Sequence, residues 1–193
     1  VLPSRALKFA TRTSTSMHDA TSNSLRPRRS VLYMPGIIAR ALAKARTLAA
    51  DALILDLEDA VAPESKGEAR DLIAATVKEG GFGNREVLIR VNGLDTPWSH
   101  DDLLMAGASA ADGVVLPKIE SADVIRLADQ VLRTVGPGKA LWAMVETPMA
   151  VMNVRDIASA GAPLVCLLLG TSDLAKEMRL SDQSATAGLI WSL

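Results

Sequence analysis

Six short, almost wholly apolar runs, separated by helical patterns, constrain this chain more than any other feature. They are "SVLYMPG" (30–36), "ALILDLED" (52–59), "EVLIRVNG" (86–93), "DGVVLPK" (112–118), "ALWAMVE" (140–146) and "PLVCLLLG" (163–170). Strands that stay apolar instead of alternating are covered on both faces, as in a parallel sheet. The intervening segments have helical spacing. Ile38, Ala41, Leu42, Ala45, Leu48 and Ala49 fall on one face, a second helix opens near Pro63-Glu64, and a stripe from Val124 to Val135 follows Ser121, the expected N-cap. Repeated βα units predict an α/β fold, either a doubly wound open sheet or a (β/α)8 barrel. The polar residues favour the barrel: Glu58, Arg90, Lys118, Glu146 and Asp173 all stand at C-terminal strand ends, which ring one mouth in a barrel. No Gly-rich phosphate fingerprint follows any strand.

Bulk properties exclude several alternatives. With 193 residues, 49% hydrophobic, and a net charge of −1, the chain can bury a sizeable core but has no basic excess for nucleic acid or an anionic membrane surface. Six aromatic residues are too few for a base-stacking surface, and no apolar run approaches the ~20 residues of a transmembrane helix. A single cysteine, Cys166, rules out an intrachain disulfide and reads as a core residue of a protein in a reducing compartment. Residues 1–29 differ from the rest: Arg5, Lys8 and Arg12 without early acids, among many Ser and Thr, suit a disordered leader, sequence ahead of a start at Met17, or a transit peptide. The expected location is cytoplasmic, or mitochondrial if that leader is a targeting signal.

The stretch "LILDLEDAV" places Asp56, Glu58 and Asp59 at the end of a buried strand, with no cation before Lys66. Buried charge is costly unless paired, solvated or metal-bound. Strand alternation points Asp56 and Glu58 one way and Asp59 the other. Asp56 is read as structural; Glu58 and Asp59 either support a metal site and orient Arg90 or hold the turn. Glu146 and Asp173, each just past an apolar strand, are the candidate metal ligands. Two carboxylates with room for water suit Mg2+ (or Mn2+), and no His/Cys cluster offers a zinc site, since His18 lies in the leader and His100 at a helix start. Arg90 inside "LIRVN" must meet an anion, either a substrate carboxylate or enolate, or Asp56 or Glu58 as a salt bridge. Lys118 is a positive wall of the site or a solvated strand end.

The motifs "RRSVLYMPG", "DALILDLEDAVAPESK", "LIRVNGLDTPW", "DGVVLPKIES", "AMVETPMAV" and "LLLGTSDLAKEM" resemble, in order, those of citrate lyase β-subunit-like enzymes of the HpcH/HpaI aldolase and malyl-CoA lyase superfamily. The resemblance covers about residues 28–180. It implies a TIM barrel of the phosphoenolpyruvate/pyruvate type, homo-oligomers (trimers or hexamers), and Mg2+-dependent cleavage of citryl-, malyl- or citramalyl-CoA to acetyl-CoA and a 2-oxo acid. It implies Glu146 and Asp173 as metal ligands, Arg90 as substrate-binding and catalytic, and Arg40 and Lys44 as contacts to the CoA phosphates. Glu58, Asp59 and Lys118 complete the candidate site, and Glu146 also faces substrate.

The expected organisation is a leader at 1–29, a partial barrel domain at 30–180 with about six βα units, and a divergent tail at 181–193. A complete barrel typically takes ~250 residues, so two βα units and the family's C-terminal segment, which in several members brings an acidic base to a neighbour, are expected to be lacking. Turnover is then expected to be weak unless a partner completes the barrel. A non-catalytic subunit and a CoA-independent pyruvate-type aldolase are the alternatives.

Overall fold

Each apolar run forms a strand, and each strand pairs with the next one in sequence. β1 (Val31–Pro35), β2 (Ala52–Asp56), β3 (Glu86–Arg90), β4 (Gly113–Leu116), β5 (Ala140–Val145) and β6 (Leu164–Leu169) make one sheet in the order 1-2-3-4-5-6. Every pairing is parallel. A doubly wound sheet reverses its strand order at a switch point; this one has no reversal and is an arc of a barrel wall. The computed structural model behind this description covers residues 27–180 and Leu189. Most of the expected leader and the expected tail therefore lie outside the described residues, as does His18.

The helices are α1 (Ala39–Ala45), α2 (Lys66–Glu79), α3 (Ser99–Ala108), α4 (Ala122–Arg133), α5 (Pro148–Met152), α6 (Val154–Ala158) and α7 (Thr171–Glu177). A 3-10 turn at Pro63–Ser65 leads into α2, with proline where its missing N–H costs nothing. α1 is shorter than the apolar spacing suggests, because turns at Arg46–Leu48 close it. Ser121 does occupy the position before α4, but its side chain makes no capping bond. Asp156 of α6 takes that role by accepting from the Ala122 amide at 3.1 Å, a partner from a distant element that local spacing cannot announce.

The apolar residues sort into two cores by strand alternation. Leu53, Leu55, Ile89, Val114, Leu116 and Ala143 face the helices and pack with Ile73, Ile125 and Leu132. Ala52, Ile54, Leu88, Val115, Trp142 and Met144 face the inside of the arc, with Cys166 and Leu168 against them. Both faces of the central strands are thus covered, which is why those runs carry so few polar residues. β1 and β6 have a neighbour on one side only among the described residues. Leu32, Val165 and Leu167 on their outer faces are 39%, 39% and 38% exposed.

The N-terminal end of the arc is closed by charge as well as by Trp142. Arg28 donates to both oxygens of buried Glu86, at 2.7 and 2.9 Å, and its guanidinium lies 5.0 Å from the centre of the Trp142 ring. Arg28, within the expected leader, is thus tied to the sheet by a carboxylate 58 residues away. Among the described residues no helix is long and apolar enough to cross a membrane.

Candidate active site

The strand register brings the polar ends together at the C-terminal mouth. Asp56 stands opposite Arg90 in the β2–β3 pairing, and their side chains form a bidentate pair: Nε to Oδ1 at 2.6 Å and Nη2 to Oδ2 at 2.7 Å. Both residues are buried. The same Asp56 carboxylate also accepts from the Glu58 amide at 2.9 Å and the Ala60 amide at 3.2 Å. The chain therefore stops being a strand after Asp56 and curls around it. That curl overturns the expectation that Asp59 points away from Glu58. Arg90 Nη1 lies 2.9 Å from Glu58 Oε2 and 3.1 Å from Asp59 Oδ2. Period-two alternation holds only while a ladder persists, and here it ends at Asp56, three residues before Asp59.

Lys66, at the start of α2, pins this curl from behind. Its buried ammonium donates to the carbonyls of Leu57 and Glu58, both at 2.7 Å, and faces the Trp98 ring at 5.5 Å. Burial lowers its pKa, against the pull of Asp56, Glu58 and Asp102. Lys118 closes the other side: its Nζ is 2.8 Å from Glu58 Oε1. Burial opposes the charge on Lys118, but Glu58 outweighs it and raises the pKa. Burial raises the Glu58 pKa, with Lys118 and Arg90 offsetting only part of the effect. Burial also works against the Arg90 charge, yet Asp56, Glu58 and Asp59 hold it firmly protonated.

Glu146 follows β5 directly and is 1% exposed. Its position is set by what comes next. Thr147 caps α5 by accepting from the Ala150 amide at 3.0 Å, donates to Glu120 at 2.7 Å, and Pro148 opens the helix. The backbone amide of Lys118 donates to Glu146 Oε1 at 2.8 Å. Burial is the main reason that the Glu146 pKa is pushed up to about 7, with the charges of Glu58 and Asp173 adding to it. Asp173, in the first turn of α7, lines the same cleft of about 260 Å3, together with Tyr33, Asp59, Arg90, Glu146 and Gly170. A larger hollow of about 570 Å3 beside Gly80–Arg85 shares no lining residue with this cleft.

The charges do not balance. Asp56, Glu58 and Asp59 are paired with Arg90 or Lys118, whereas neither Glu146 nor Asp173 has an ion-pair partner among the described residues. Among those residues no group of three or more His, Cys, Asp or Glu side chains is arranged to hold a metal. A site with two carboxylates fits a cation that keeps most of its water, as Mg2+ does, and does not fit zinc, which takes three or four protein ligands. Glu146 and Asp173 are the residues that could hold it.

Other candidates are placed less centrally. Arg40 and Lys44 are exposed on α1, and neither lines the cleft. The Lys118 ammonium is engaged by Glu58 and likewise does not line it. His100 is exposed in the first turn of α3, and Cys166 packs against the inner core, its thiol pKa raised by burial. Sequence reasoning missed Tyr33, whose ring lies 5.0 Å from the Arg90 guanidinium, and Lys66, whose partners are backbone carbonyls. A tyrosine in the middle of β1, between apolar neighbours, was the available signal for the first. For Lys66 there was none.

Comparisons with known proteins bear on the family and the fold. The family described as HpcH/HpaI aldolase/citrate lyase matches residues 29–190. A (3S)-malyl-CoA thioesterase of Cereibacter sphaeroides is 48% identical over 79% of this chain and 52% of its own length. The citrate lyase subunit beta of Escherichia coli is 34% identical over 80% of the chain and 53% of its own length. The chain thus spans about half the length of these curated relatives. Among solved structures, a citrate lyase beta subunit from M. tuberculosis, complexed with oxaloacetate and magnesium, superimposes with a TM-score of 0.66 at 32% identity, covering 82% of this chain and 66% of that one. Sequential parallel strands, the mouth they form and these matches establish that the chain belongs to the HpcH/HpaI aldolase/citrate lyase family.

Proposed function

We propose that this site serves a divalent-cation-dependent carbon–carbon lyase acting on a 3-hydroxyacyl thioester of the malyl, citramalyl or citryl type. One observation carries the reading: Glu146 and Asp173, from adjacent βα units, line one cleft with Arg90 and are the two mouth carboxylates without an ion-pair partner among the described residues. The M. tuberculosis neighbour, complexed with magnesium and a 2-oxo acid, supports it. Glu146 and Asp173 would hold Mg2+ or Mn2+ there, and the cation would supply a Lewis acid to polarise the carbonyl of the oxo-acid half.

The chain's own residues supply orientation and charge. In the cleavage a base removes the hydroxyl proton, the carbon–carbon bond breaks, and its electron pair moves onto the thioester as an enolate, which is then protonated to the acetyl thioester. Arg90 is held rigidly by Asp56, Glu58 and Asp59, so its positive charge is in place before that negative charge develops and needs no reorganisation. Glu58 and Asp59 act on Arg90 rather than on substrate, and Lys118 fixes Glu58. Arg40 and Lys44, exposed on α1, are available to phosphates of a CoA moiety. A CoA thioester partner, a homo-oligomer and a cytoplasmic setting belong to the same proposal.

The malyl-CoA thioesterase relative favours a second reading, in which water attacks the thioester carbonyl instead. Product analysis separates the two. With malyl-CoA and Mg2+, cleavage yields acetyl-CoA and glyoxylate, whereas hydrolysis yields malate and a free thiol. The lyase reading expects the first pair, abolished by EDTA; malate with free CoA replaces it with hydrolysis, and turnover indifferent to EDTA sinks the metal assignment.

A further inference from the structure

Lys118 has a left-handed backbone, φ 50°, a conformation uncommon outside glycine that costs energy unless something local requires it. What it achieves is visible in two contacts. The turn aims the Lys118 amide at Glu146 Oε1, 2.8 Å away, and the following amide, of Ile119, at the Met144 carbonyl, 3.3 Å away. One oxygen of Glu146 is thereby occupied. The other, Oε2, accepts no hydrogen bond among the described residues and lies against Gly170, where a Cβ would overlap both Oε2 and the Cβ of Glu146. Gly170 is itself tied to β5, its amide 3.0 Å from the Val145 carbonyl, so it does not drift away from Glu146.

We propose that the Lys118 backbone and Gly170 are positioning elements that clamp Glu146 from two sides, so that it offers a cation one oxygen only. This deepens the cation reading above and rests on it. A single-oxygen ligand suits Mg2+, which takes one or two carboxylates and keeps several waters at short, near-octahedral distances. It disfavours Ca2+, which gathers more oxygens and often takes carboxylates in bidentate fashion. The Lys118 amide and the missing Gly170 side chain thus set the choice of ion, although neither touches it.

The test is Mn2+ binding to the full chain, followed by electron paramagnetic resonance, with thermal unfolding of each variant alongside. Wild type binds Mn2+, magnesium displaces it, and the same excess of calcium does not; Glu146→Gln abolishes binding. Gly170→Ala weakens binding by about tenfold or more, the size expected when support behind a metal ligand is lost, and lowers the melting temperature because its Cβ meets the Cβ of buried Glu146. Lys118→Pro, which has no N–H and excludes positive φ, loses Mn2+ binding. Wild type that binds no Mn2+ overturns the cation reading itself. Wild type that binds Mn2+ while Gly170→Ala binds equally well, or while calcium competes as effectively as magnesium, overturns the clamp and leaves the cation site standing. Should Lys118→Pro or Gly170→Ala unfold, the calcium competition on wild type still decides.

Discussion

Replacing Asp56 by Asn changes no volume, yet the structure makes it the most damaging conservative change at the mouth. Asp56 Oδ1 accepts from Arg90 Nε and the Glu58 amide, and Oδ2 from Arg90 Nη2 and the Ala60 amide. Whichever way the new amide turns, its NH2 faces two donors, so two hydrogen bonds become repulsive contacts as the charge is lost. Removing one partner of a buried ion pair costs about 3–5 kcal/mol. Arg90 retains Glu58 and Asp59, at 2.9 and 3.1 Å, which places the expected loss near the lower end, about 3 kcal/mol. For a chain of this size that corresponds to a fall of about 6–12 °C in melting temperature. The assay is urea unfolding of Asp56→Asn beside Asp59→Asn, whose side chain is 56% exposed and whose pair is worth under about 1 kcal/mol. Equal effects of the two changes, or a loss under about 1 kcal/mol for Asp56→Asn, would refute the view that the curl after β2 is organised by this carboxylate.

Other outcomes follow from the same geometry. Burial raises the Glu146 pKa from 4.5 to about 7, so a cation must displace a proton at low pH; calorimetric Mn2+ affinity should climb as pH rises toward about 7 and flatten above it, and a flat profile contradicts the shift. With no cation present, a raised carboxyl pKa favours the folded state most below 4.5, and that contribution is lost as pH rises through about 7. Lys66→Met removes a charged donor from two buried carbonyls and should cost about 2 kcal/mol, seen as a lower urea midpoint; Lys66→Arg restoring none of it would indicate that the ammonium's compact shape, not its charge, is required. Arg28→Ala leaves Glu86 buried without its bidentate partner and should destabilise by about 3 kcal/mol or more, whereas a wild-type melting curve would show that the bottom of the arc does not depend on it.

Much of this arrangement can be read from the sequence, because the signals are carried by strands. Six uninterrupted apolar runs require two covered faces, and charged residues at the ends of those runs have to gather where the strands end. Glu146, Asp173 and Arg90 needed only that logic to be placed on one cleft. Asp59 was misplaced because alternation was carried past the last paired residue, into a turn that Asp56 itself shapes. The partner of Arg28 could not be read because Glu86 is its neighbour only after folding. The clamp on Glu146 was the least legible part. It depends on the sign of one backbone angle and on an atom that Gly170 lacks, neither of which leaves a pattern in composition or spacing.

The most direct measurement is anomalous diffraction from crystals soaked in Mn2+. One peak should lie within about 2.1 Å of both Glu146 Oε2 and an Asp173 carboxylate oxygen, with water completing the shell. A peak that touches only one of them, or none at saturating Mn2+, would show that these two carboxylates do not share a cation.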